Sequence, residues 1–398
     1  MPRPQKEQRL KVREVKEIVK QPKMEVAQEI ETPSSSIIIP QEWSDATKSI
    51  VNNSVSSIPP IAIVCGPNNC GKTTFSLNLV NVLLQRHKKV AYLDTDVGQT
   101  VFTPPGLLSL TMIDEITPDV IRPCLKIPER CFFFGDISSK RDPELYLSYI
   151  FNLFDHYLKE YHMNDNTNCL GDAGFPLVIN TPGWVKGIGY EILVDMIKYM
   201  SPTHVVKIKI SRVAKNLPAG AFWTSEGVMD TNHVIEINAA LQDLLHRSVL
   251  VQRDASGLRD LRVIEYFRQC FPNERNLTRK KLGLALVALP PYEFPISSVK
   301  IKHLHCQVPE TEVFYSLNAT IVGLAISSDV TEQLPQCVGL GLVRAVDPSK
   351  GMLYIITPVP QQTLDDVDLI LQGFIQIPTC FLKVPGYISP YMSRNVIS

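Results

Sequence analysis

The residues best suited to chemistry form a glycine-rich loop at residues 66–73. They read Gly-Pro-Asn-Asn-Cys-Gly-Lys-Thr and match every fixed position of the pattern G-x-x-x-x-G-K-[ST]. Backbone N–H groups of such a loop converge on phosphate, the lysine reaches the β- and γ-phosphates, and the next hydroxyl ligates Mg²⁺. An apolar run precedes the loop and a helical pattern follows it, which is the strand–loop–helix context of a phosphate-binding loop. The alternative, a simple glycine turn before a helix, does not require this context. We therefore predict that the nucleotide site comprises Gly66, Pro67, Asn68, Asn69, Cys70, Gly71, Lys72, Thr73 and Thr74, with Thr73 on the metal.

Two carboxylates stand at the end of the next apolar run, residues 90–94. Asp94 and Asp96 are two positions apart, so both face one side if the extended backbone continues. Phosphoryl transfer to a hydroxyl uses one carboxylate near Mg²⁺ and a second one that accepts the hydroxyl proton. Parallel sheets place catalytic groups at such strand ends, and the alternative interpretation is a polar turn that caps the strand.

A third strand end carries a hydroxyl, a glycine and an indole within three residues. Thr181, Gly183 and Trp184 follow the apolar run 177–180. Glycine permits close approach to a phosphate, threonine supplies a donor, and tryptophan can stack on a base. Taken alone, the segment fits a Pro-Gly turn with a core tryptophan better, and only the neighbouring motifs favour a binding role.

A local basic stretch lies at residues 247–281. It holds nine Lys or Arg and four acidic residues. Residues 256–270 are predicted to be helical, with Arg259 and Arg262 one turn apart on a face. Such an arginine pair could close as a lid over a transferring phosphoryl group, and the alternative is a solvated helix face. The basic residues are Arg247, Arg253, Arg259, Arg262, Arg268, Arg275, Arg279, Lys280 and Lys281.

Alternating apolar runs and helical stretches must position these residues. This pattern is typical of an α/β fold, a P-loop NTPase-type parallel sheet flanked by helices. After about residue 290, short alternating strands with turn signals predict a β-rich C-terminal domain. The predicted strands are 61–65, 90–94, 177–180 and 204–210, and the predicted helices are 73–86, 143–161 and 190–200. The predicted divisions are a flexible basic tail at 1–36, a lead-in at 37–58, a kinase-like domain at 59–290 and the β-rich domain at 291–398.

Composition limits the possible environments of the chain. Its 398 residues include 40 Lys or Arg and 40 Asp or Glu, so a histone-like general binder of nucleic acid is excluded. Nine cysteines without a C-x-x-C pair are read as reduced thiols rather than a disulfide framework or a zinc site. No apolar run of about 18 residues and no signal-peptide core is present, which predicts a chain with no membrane association.

In order and rough spacing, these motifs resemble the polynucleotide 5′-hydroxyl kinases of RNA end processing. The resemblance rests on the loop at 66–73, the Asp-x-Asp-x-Gly-Gln element at 94–99, the Thr-x-Gly-Trp element at 181–184 and the arginine-bearing stretch that ends at Phe267. The segment 131–138 is similar to that family as well. The proline within Thr-Pro-Gly-Trp and the long C-terminal β region are similar to the nucleolar branch, which matures ribosomal RNA.

The resemblance implies transfer of the γ-phosphate of ATP to the 5′-hydroxyl of RNA or DNA, with Mg²⁺ as cofactor and a nuclear, nucleolar location. Lys72 would bind phosphates, Asp96 with Gln99 would orient and deprotonate the hydroxyl, and Asp94 would support the metal. Partners would be RNA 5′-hydroxyl ends and an endonuclease or pre-ribosomal processing complex. The remaining implied roles are the strand-end clasp for Thr181, Gly183 and Trp184, the lid for Arg259 and Arg262, and base stacking or core packing for Trp223.

Two other interpretations stay open at this stage. An intact nucleotide loop also fits a non-catalytic ATP-binding subunit that serves as an assembly platform in an RNA processing complex. A small-molecule kinase ranks last, because a basic lid region and an added β module suit the end of a polymer better. The family's paired arginines are usually four positions apart, whereas Arg259 and Arg262 are three apart.

Overall fold

The predicted strands form the centre of a mixed sheet that carries the phosphate loop. The computed structural model describes residues 39–53, 59–117, 124–162, 174–224, 233–240, 255–274, 276–327 and 334–383. The predicted basic tail at 1–36 therefore lies outside the described residues. Within them, seven strands pair in the order β4-β3-β2-β5-β1-β6-β7. They are β1 Ile61–Cys65, β2 Val90–Asp94, β3 Leu107–Ile113, β4 Arg130–Phe133, β5 Leu177–Asn180, β6 His204–Lys209 and β7 His233–Asn238.

Five of these strands run parallel, which confirms the predicted fold class. Strands β2, β5, β1, β6 and β7 pair in parallel, and β3 and β4 extend the sheet as antiparallel neighbours of β2. The residues of β1, β2 and β5 are all buried, because helices cover both faces of the sheet. The carboxyl ends of β1, β2 and β5 therefore bring the three predicted motifs to one edge.

Four helices cover the two faces of this sheet. Helices α1 and α2 pack on one face around Trp43 and Phe75, and α3 and α4 pack on the other around Tyr146 and Met196. Asp142 caps α3, since its side chain accepts a hydrogen bond from the backbone N–H of Leu145 at 3.0 Å. The bounds are α1 Gln41–Asn53, α2 Lys72–Leu83, α3 Pro143–Tyr157, which continues into a π-helical turn at Leu158–His162, and α4 Ile188–Met200.

The C-terminal part forms a second sheet, as predicted from its alternating pattern. Its six strands pair in the order β8-β12-β11-β10-β13-β9 within the described residues, antiparallel except for β13 with β9. Two helices precede it and two short ones lie within or after it. The bounds are α5 Ala255–Arg268, α6 Arg279–Ala288, β8 Tyr292–Pro295, β9 Lys300–His303, β10 Ile321–Ile326, β11 Gln336–Asp347, β12 Met352–Ile356, α7 Gln361–Leu364, β13 Leu369–Gln372 and α8 Thr379–Leu382.

The two sheets share one hydrophobic cluster. Phe133 from β4 packs with Phe267 from α5 and Leu340 from β11 in this cluster. The thiol of Cys131 donates to the backbone oxygen of Cys337 at 3.0 Å, across the same junction. The described parts belong to one compact unit, Ile39–Ser398, so the division near residue 290 into separate domains stays a prediction.

The described residues also bear on the expectations about membrane-spanning helices, disulfides and metal sites. No helix among them is long and apolar enough to cross a membrane. Eight cysteines are described and all are free thiols, while Cys169 lies outside the described residues. No group of three or more His, Cys, Asp or Glu side chains in the described ranges is arranged to hold a metal ion.

Candidate active site

The backbone of the phosphate loop has a shape that only glycine permits at its two ends. Gly66 has a φ of 147°, and a Cβ built there would lie 2.5 Å from Ile208 O. Gly71 has a φ of 98°, and a Cβ there would lie 2.7 Å from the ring of Trp43. Asn69 adopts the left-handed region with a φ of 60°. The loop is thus preformed as a backbone cradle, which fits a phosphate ligand.

Lys72 begins α2 directly after this cradle. Its Nζ donates to Pro67 O at 2.8 Å, so the ammonium group lies over the loop and is only 7% exposed. Thr73 and Thr74 follow in the first turn of α2 and are partly exposed, as a metal-ligating hydroxyl requires. Cys70 is buried, and burial raises the pKa of its thiol. The structure therefore brings the nine predicted loop residues together, with Cys70 contributing backbone and not side chain.

Asp94 holds the turn that follows β2. Its Oδ2 accepts from Val101 N at 2.7 Å, and its Oδ1 accepts from Asn180 Nδ2 at 3.2 Å and Asp96 N at 3.3 Å. Burial, followed by the charge of Asp96, raises the pKa of Asp94 to about 7. With both oxygens engaged and 1% exposure, this carboxylate is placed to shape the turn. The direct metal role predicted for Asp94 does not follow from this geometry.

Asp96 is the carboxylate that opens toward the loop. Its Oδ1 accepts from the backbone N–H groups of Gly98 and Gln99, both at 3.1 Å, and the side chain is partly exposed. Burial raises the pKa of Asp96, while the positive charges of Lys72 and Arg262 lower it. Asp96 thus lies within electrostatic reach of the phosphate-binding lysine and of α5. A carboxylate with a raised pKa is a better proton acceptor near neutral pH.

Gln99 and Arg262 connect this turn to α5. The Nε2 of Gln99 donates to Ala255 O at 3.1 Å, at the first residue of α5. Arg262 is 8% exposed, and burial lowers the pKa of its guanidinium against the opposing influence of Asp94, Tyr92 and Asp96. Its Nε has no hydrogen-bond partner among the described residues. A buried cation therefore lies within electrostatic range of both carboxylates and has donor capacity to spare.

Arg259, the other predicted lid residue, lies elsewhere on α5. It is partly exposed and lines a groove together with Phe374 and Ile375, which follow β13. Further along α5, Phe267 packs into the shared cluster, and the hydroxyl of Tyr266 accepts a hydrogen bond from Leu340 N at 2.7 Å. The C-terminal half of α5 is thus anchored to the second sheet. The structure brings Arg262, but not Arg259, to the carboxylates.

The Thr-Pro-Gly-Trp segment lies against the phosphate loop. The hydroxyl of Thr181 donates to Val64 O at 2.8 Å and is buried, so it joins β5 to β1. Gly183 touches Asn68 of the loop, because a Cβ built on Gly183 would overlap the Asn68 side chain and lie 2.6 Å from its backbone N. Trp184 packs edge-on against Tyr146 with ring centroids 5.4 Å apart. The segment thus positions the loop, with the indole half-buried.

The stacking role suggested for Trp223 is contradicted by its position. Its side chain is 5% exposed and packs in the core cluster on the α3 and α4 face of the sheet. The ring of Phe222 lies edge-on at 5.1 Å. Neither ring face of Trp223 is open to a base, so the core interpretation is the correct one.

Sequence reasoning missed two residues that shape the site. Trp43 of α1 lies beside Gly71 and donates from Nε1 to Asn238 O at 2.8 Å, so it packs α1 beneath the loop. Asn180 bridges to Asp94, and its backbone oxygen accepts from the hydroxyl of Thr95 at 2.7 Å. Asn180 could have been identified from the sequence, because it directly precedes Thr181 at the same strand end. Trp43 could not, because it approaches the phosphate loop only through the packing of α1 against α2.

Comparisons with known proteins agree with this geometry. Residues 66–269 match the family described as mRNA cleavage and polyadenylation factor CLP1 P-loop. Residues 287–378 match the family described as NOL9-like, C-terminal domain. A solved Clp1p–Pcf11p complex has the same fold, with a TM-score of 0.59 and 17% identity over 84% of this chain and 79% of that chain.

Three of the similar curated proteins carry the same name. A polynucleotide 5′-hydroxyl-kinase NOL9 from Arabidopsis thaliana is 57% identical over 363 residues, which cover 90% of this chain and 97% of the relative. The proteins of that name from Danio rerio and Homo sapiens are 32% and 30% identical, over 81% and 88% of this chain. The chain spans about half the length of these two animal relatives, 47% and 55%.

Proposed function

The chain belongs to the polynucleotide 5′-hydroxyl kinases, and from this premise we propose that it transfers the γ-phosphate of ATP to the 5′-hydroxyl end of RNA during ribosomal RNA processing. The activity for which its relatives are named and the preformed phosphate cradle support this proposal. The nucleolus is the compartment in which such a role would be carried out. An endonuclease that leaves 5′-hydroxyl ends, or a pre-ribosomal complex that contains one, is the partner that this reaction calls for.

One observation carries the proposal: the carboxylate of Asp96, held by the backbone N–H groups of Gly98 and Gln99 after β2, lies near both Lys72 and Arg262. Asp96 lies within the electrostatic reach of both cations, and Arg262 lies within that of Asp94 and Asp96. A plain nucleotide-binding site needs the lysine and the cradle alone. The added carboxylate and buried arginine are what transfer to a hydroxyl requires.

Each residue then has a defined task. The loop backbone and Lys72 hold the β- and γ-phosphates of ATP. Asp96 accepts the proton of the 5′-hydroxyl, and Arg262 stabilises the charge that spreads over the transferring phosphoryl oxygens. Gln99 positions the acceptor end from its link to Ala255. The hydroxyl of Thr73 would be a ligand of Mg²⁺, which would supply positive charge to the phosphates when bound.

A non-catalytic, ATP-binding role is the alternative, and two observations favour it. Lys72 already donates to Pro67 O, and the described fold neighbours are Clp1p chains solved with a protein partner. In that case the cradle would hold ATP as a structural ligand, and the second sheet would hold the partner. The two candidate functions differ in whether the γ-phosphate of ATP is transferred to a polynucleotide end.

The decisive experiment incubates the full chain with γ-labelled ATP, Mg²⁺ and a single-stranded RNA that carries a 5′-hydroxyl. Label on that RNA, with none on a 5′-phosphorylated copy, is the expected result. Lys72→Ala, which removes the phosphate-binding ammonium, should abolish it. ATP binding without label on any RNA or DNA end would overturn the kinase proposal in favour of the structural role.

A further inference from the structure

A shallow groove of about 50 Å³ lies between α5 and the segment that follows β13. Ser256 and Arg259 of α5 form one wall, and Phe374 from the segment after β13 forms the other, with Ile137 at one end. The function proposed above uses none of these side chains.

The groove begins beside the turn that carries Asp96. Gln99 donates to Ala255 O at 3.1 Å, one residue before Ser256 on the groove wall. On the other side, a Cβ built on Gly98 would lie 2.7 Å from Ile137 O, so the turn and the groove end are in direct contact. A strand whose 5′ end lies at Asp96 therefore has this groove as its immediate neighbour.

Phe374 is an exposed ring on a fixed support. Its side chain is 45% exposed, and its backbone N–H donates to Gly135 O at 2.6 Å. The guanidinium of Arg141 lies 4.7 Å from its ring centroid, and the ring of His305 lies nearly parallel at 6.5 Å. Exposed aromatic rings with arginine beside them are the surfaces on which single-stranded nucleic acids stack their bases.

Resting on the kinase function, we propose that Phe374 stacks on a base of the acceptor strand a few nucleotides from its 5′ end. Arg259 flanks that base and contacts the adjoining backbone, while Arg141, which pairs with Asp136 at 2.6 Å, supports the Phe374 ring from one face. Asp260 lines the same groove, so the contact depends on stacking more than on net positive charge. The segment after β13 thus takes part in polynucleotide binding, and the enzyme favours acceptors long enough to reach Phe374.

The test compares two acceptors in the full chain. We would measure kcat/KM for a 5′-hydroxyl dinucleotide and for a 12-nucleotide RNA with wild type, Phe374→Ala, Phe374→Trp and Tyr315→Ala. Tyr315 is a matched control, because it is 64% exposed and does not line the groove. In Phe374→Ala the ratio of the long to the short acceptor should fall roughly fivefold to a hundredfold, as expected for one lost stack. Phe374→Trp and Tyr315→Ala should keep the wild-type ratio.

A binding measurement separates this proposal from the proposed function. The 12-nucleotide RNA would carry 2-aminopurine at one of its first five positions, since stacking quenches that base. Quenching at one position that is lost in Phe374→Ala and kept in Phe374→Trp supports the proposal, whether or not the RNA is phosphorylated. An unchanged kcat/KM ratio together with unchanged quenching in Phe374→Ala would overturn it, while phosphorylation by wild type would leave the kinase function standing.

Discussion

Asp94 and Asp96 show how two like side chains two positions apart acquire different roles. Asp94 is buried and accepts three hydrogen bonds, and burial raises its pKa to about 7. Asp96 is partly exposed and interacts with the cation of Lys72. The parity of the two positions predicted that they share a face. It did not predict which one meets the acceptor, because that depends on the turn at residues 95–101.

Exchanging Asp96 for asparagine should separate chemistry from ATP binding. Asp96→Asn keeps an Oδ1 that can accept from Gly98 N and Gln99 N, so the turn should survive, but the proton acceptor is lost. We expect phosphorylation to fall at least about a hundredfold while the Kd for ATP changes less than about threefold. Lys72→Ala should abolish activity and also weaken ATP binding strongly. Equal loss of ATP affinity in both variants would contradict the role of Asp96.

Removing the charge of Arg262 should act on turnover and on the pH profile together. Arg262→Met keeps an apolar stem in the buried position, and Arg262→Lys keeps a charge without the planar fork. For the methionine variant we expect kcat to fall about a hundredfold or more, with a smaller change in KM for RNA. Since the cation lowers the pKa of Asp96, its loss should also shift the acid limb of the rate profile to higher pH. The lysine variant should be intermediate, and a pure KM effect would place Arg262 in strand binding instead.

The phosphate loop and the Thr-Pro-Gly-Trp segment work as one element because their backbones touch. Gly183→Ala would push its Cβ into Asn68, so the loop must move. We expect the Kd for ATP to rise about tenfold, which corresponds to about 1.4 kcal/mol. The double variant Asn68→Gly/Gly183→Ala removes part of the overlap and should recover part of that loss. Calorimetric titration measures the Kd for ATP of both variants. A wild-type Kd for ATP in Gly183→Ala would show that the segment does not support the loop.

Elements that are determined by local sequence could be predicted, whereas those that depend on tertiary packing could not. The strands β1, β2 and β5 are continuous buried apolar runs, and their sequence ranges were predicted correctly. The antiparallel direction of β3 is not encoded in the Leu107–Ile113 pattern, since a buried strand reads the same in either direction. The nucleotide loop was identified from the sequence because all its residues are contiguous and match one motif. The separate placement of Arg259 and Arg262 comes from docking of α5 on the second sheet, which no local pattern records.

Stability of the whole chain should depend on pH through a histidine far from the chemistry. His204 begins β6, at the opposite end of the strands from the phosphate loop, and its ring stacks on that of His233. Burial, with a smaller contribution from His233, lowers the pKa of His204 to about 4. The unfolded chain therefore binds more protons between about pH 6.5 and pH 4, so stability falls as the pH falls through that range.

The expected loss through His204 is about 1–2 kcal/mol between pH 7.5 and pH 5. Urea denaturation of wild type and His204→Gln at both pH values measures it. The variant should show a smaller pH dependence whatever its stability at neutral pH, because glutamine does not titrate. Equal pH dependence in the two proteins would assign the effect to another group.

The shared cluster leads to the last expectation, that the P-loop part does not fold without the second sheet. A chain ending at residue 289 would leave Phe133 and Phe267 facing water, since their partner Leu340 would be absent. We expect it to lose cooperative unfolding and ATP binding, measured by circular dichroism and titration. In the full chain, Gly373→Val places a Cβ 2.5 Å from Gly135 Cα and should cost about 1–3 kcal/mol, because the junction is already in van der Waals contact. A sharply melting, ATP-binding chain of 289 residues would instead establish the separate domain that the change of pattern near residue 290 predicts. In that case the groove beside Phe374 would be an addition to a self-sufficient kinase and not a part of its core.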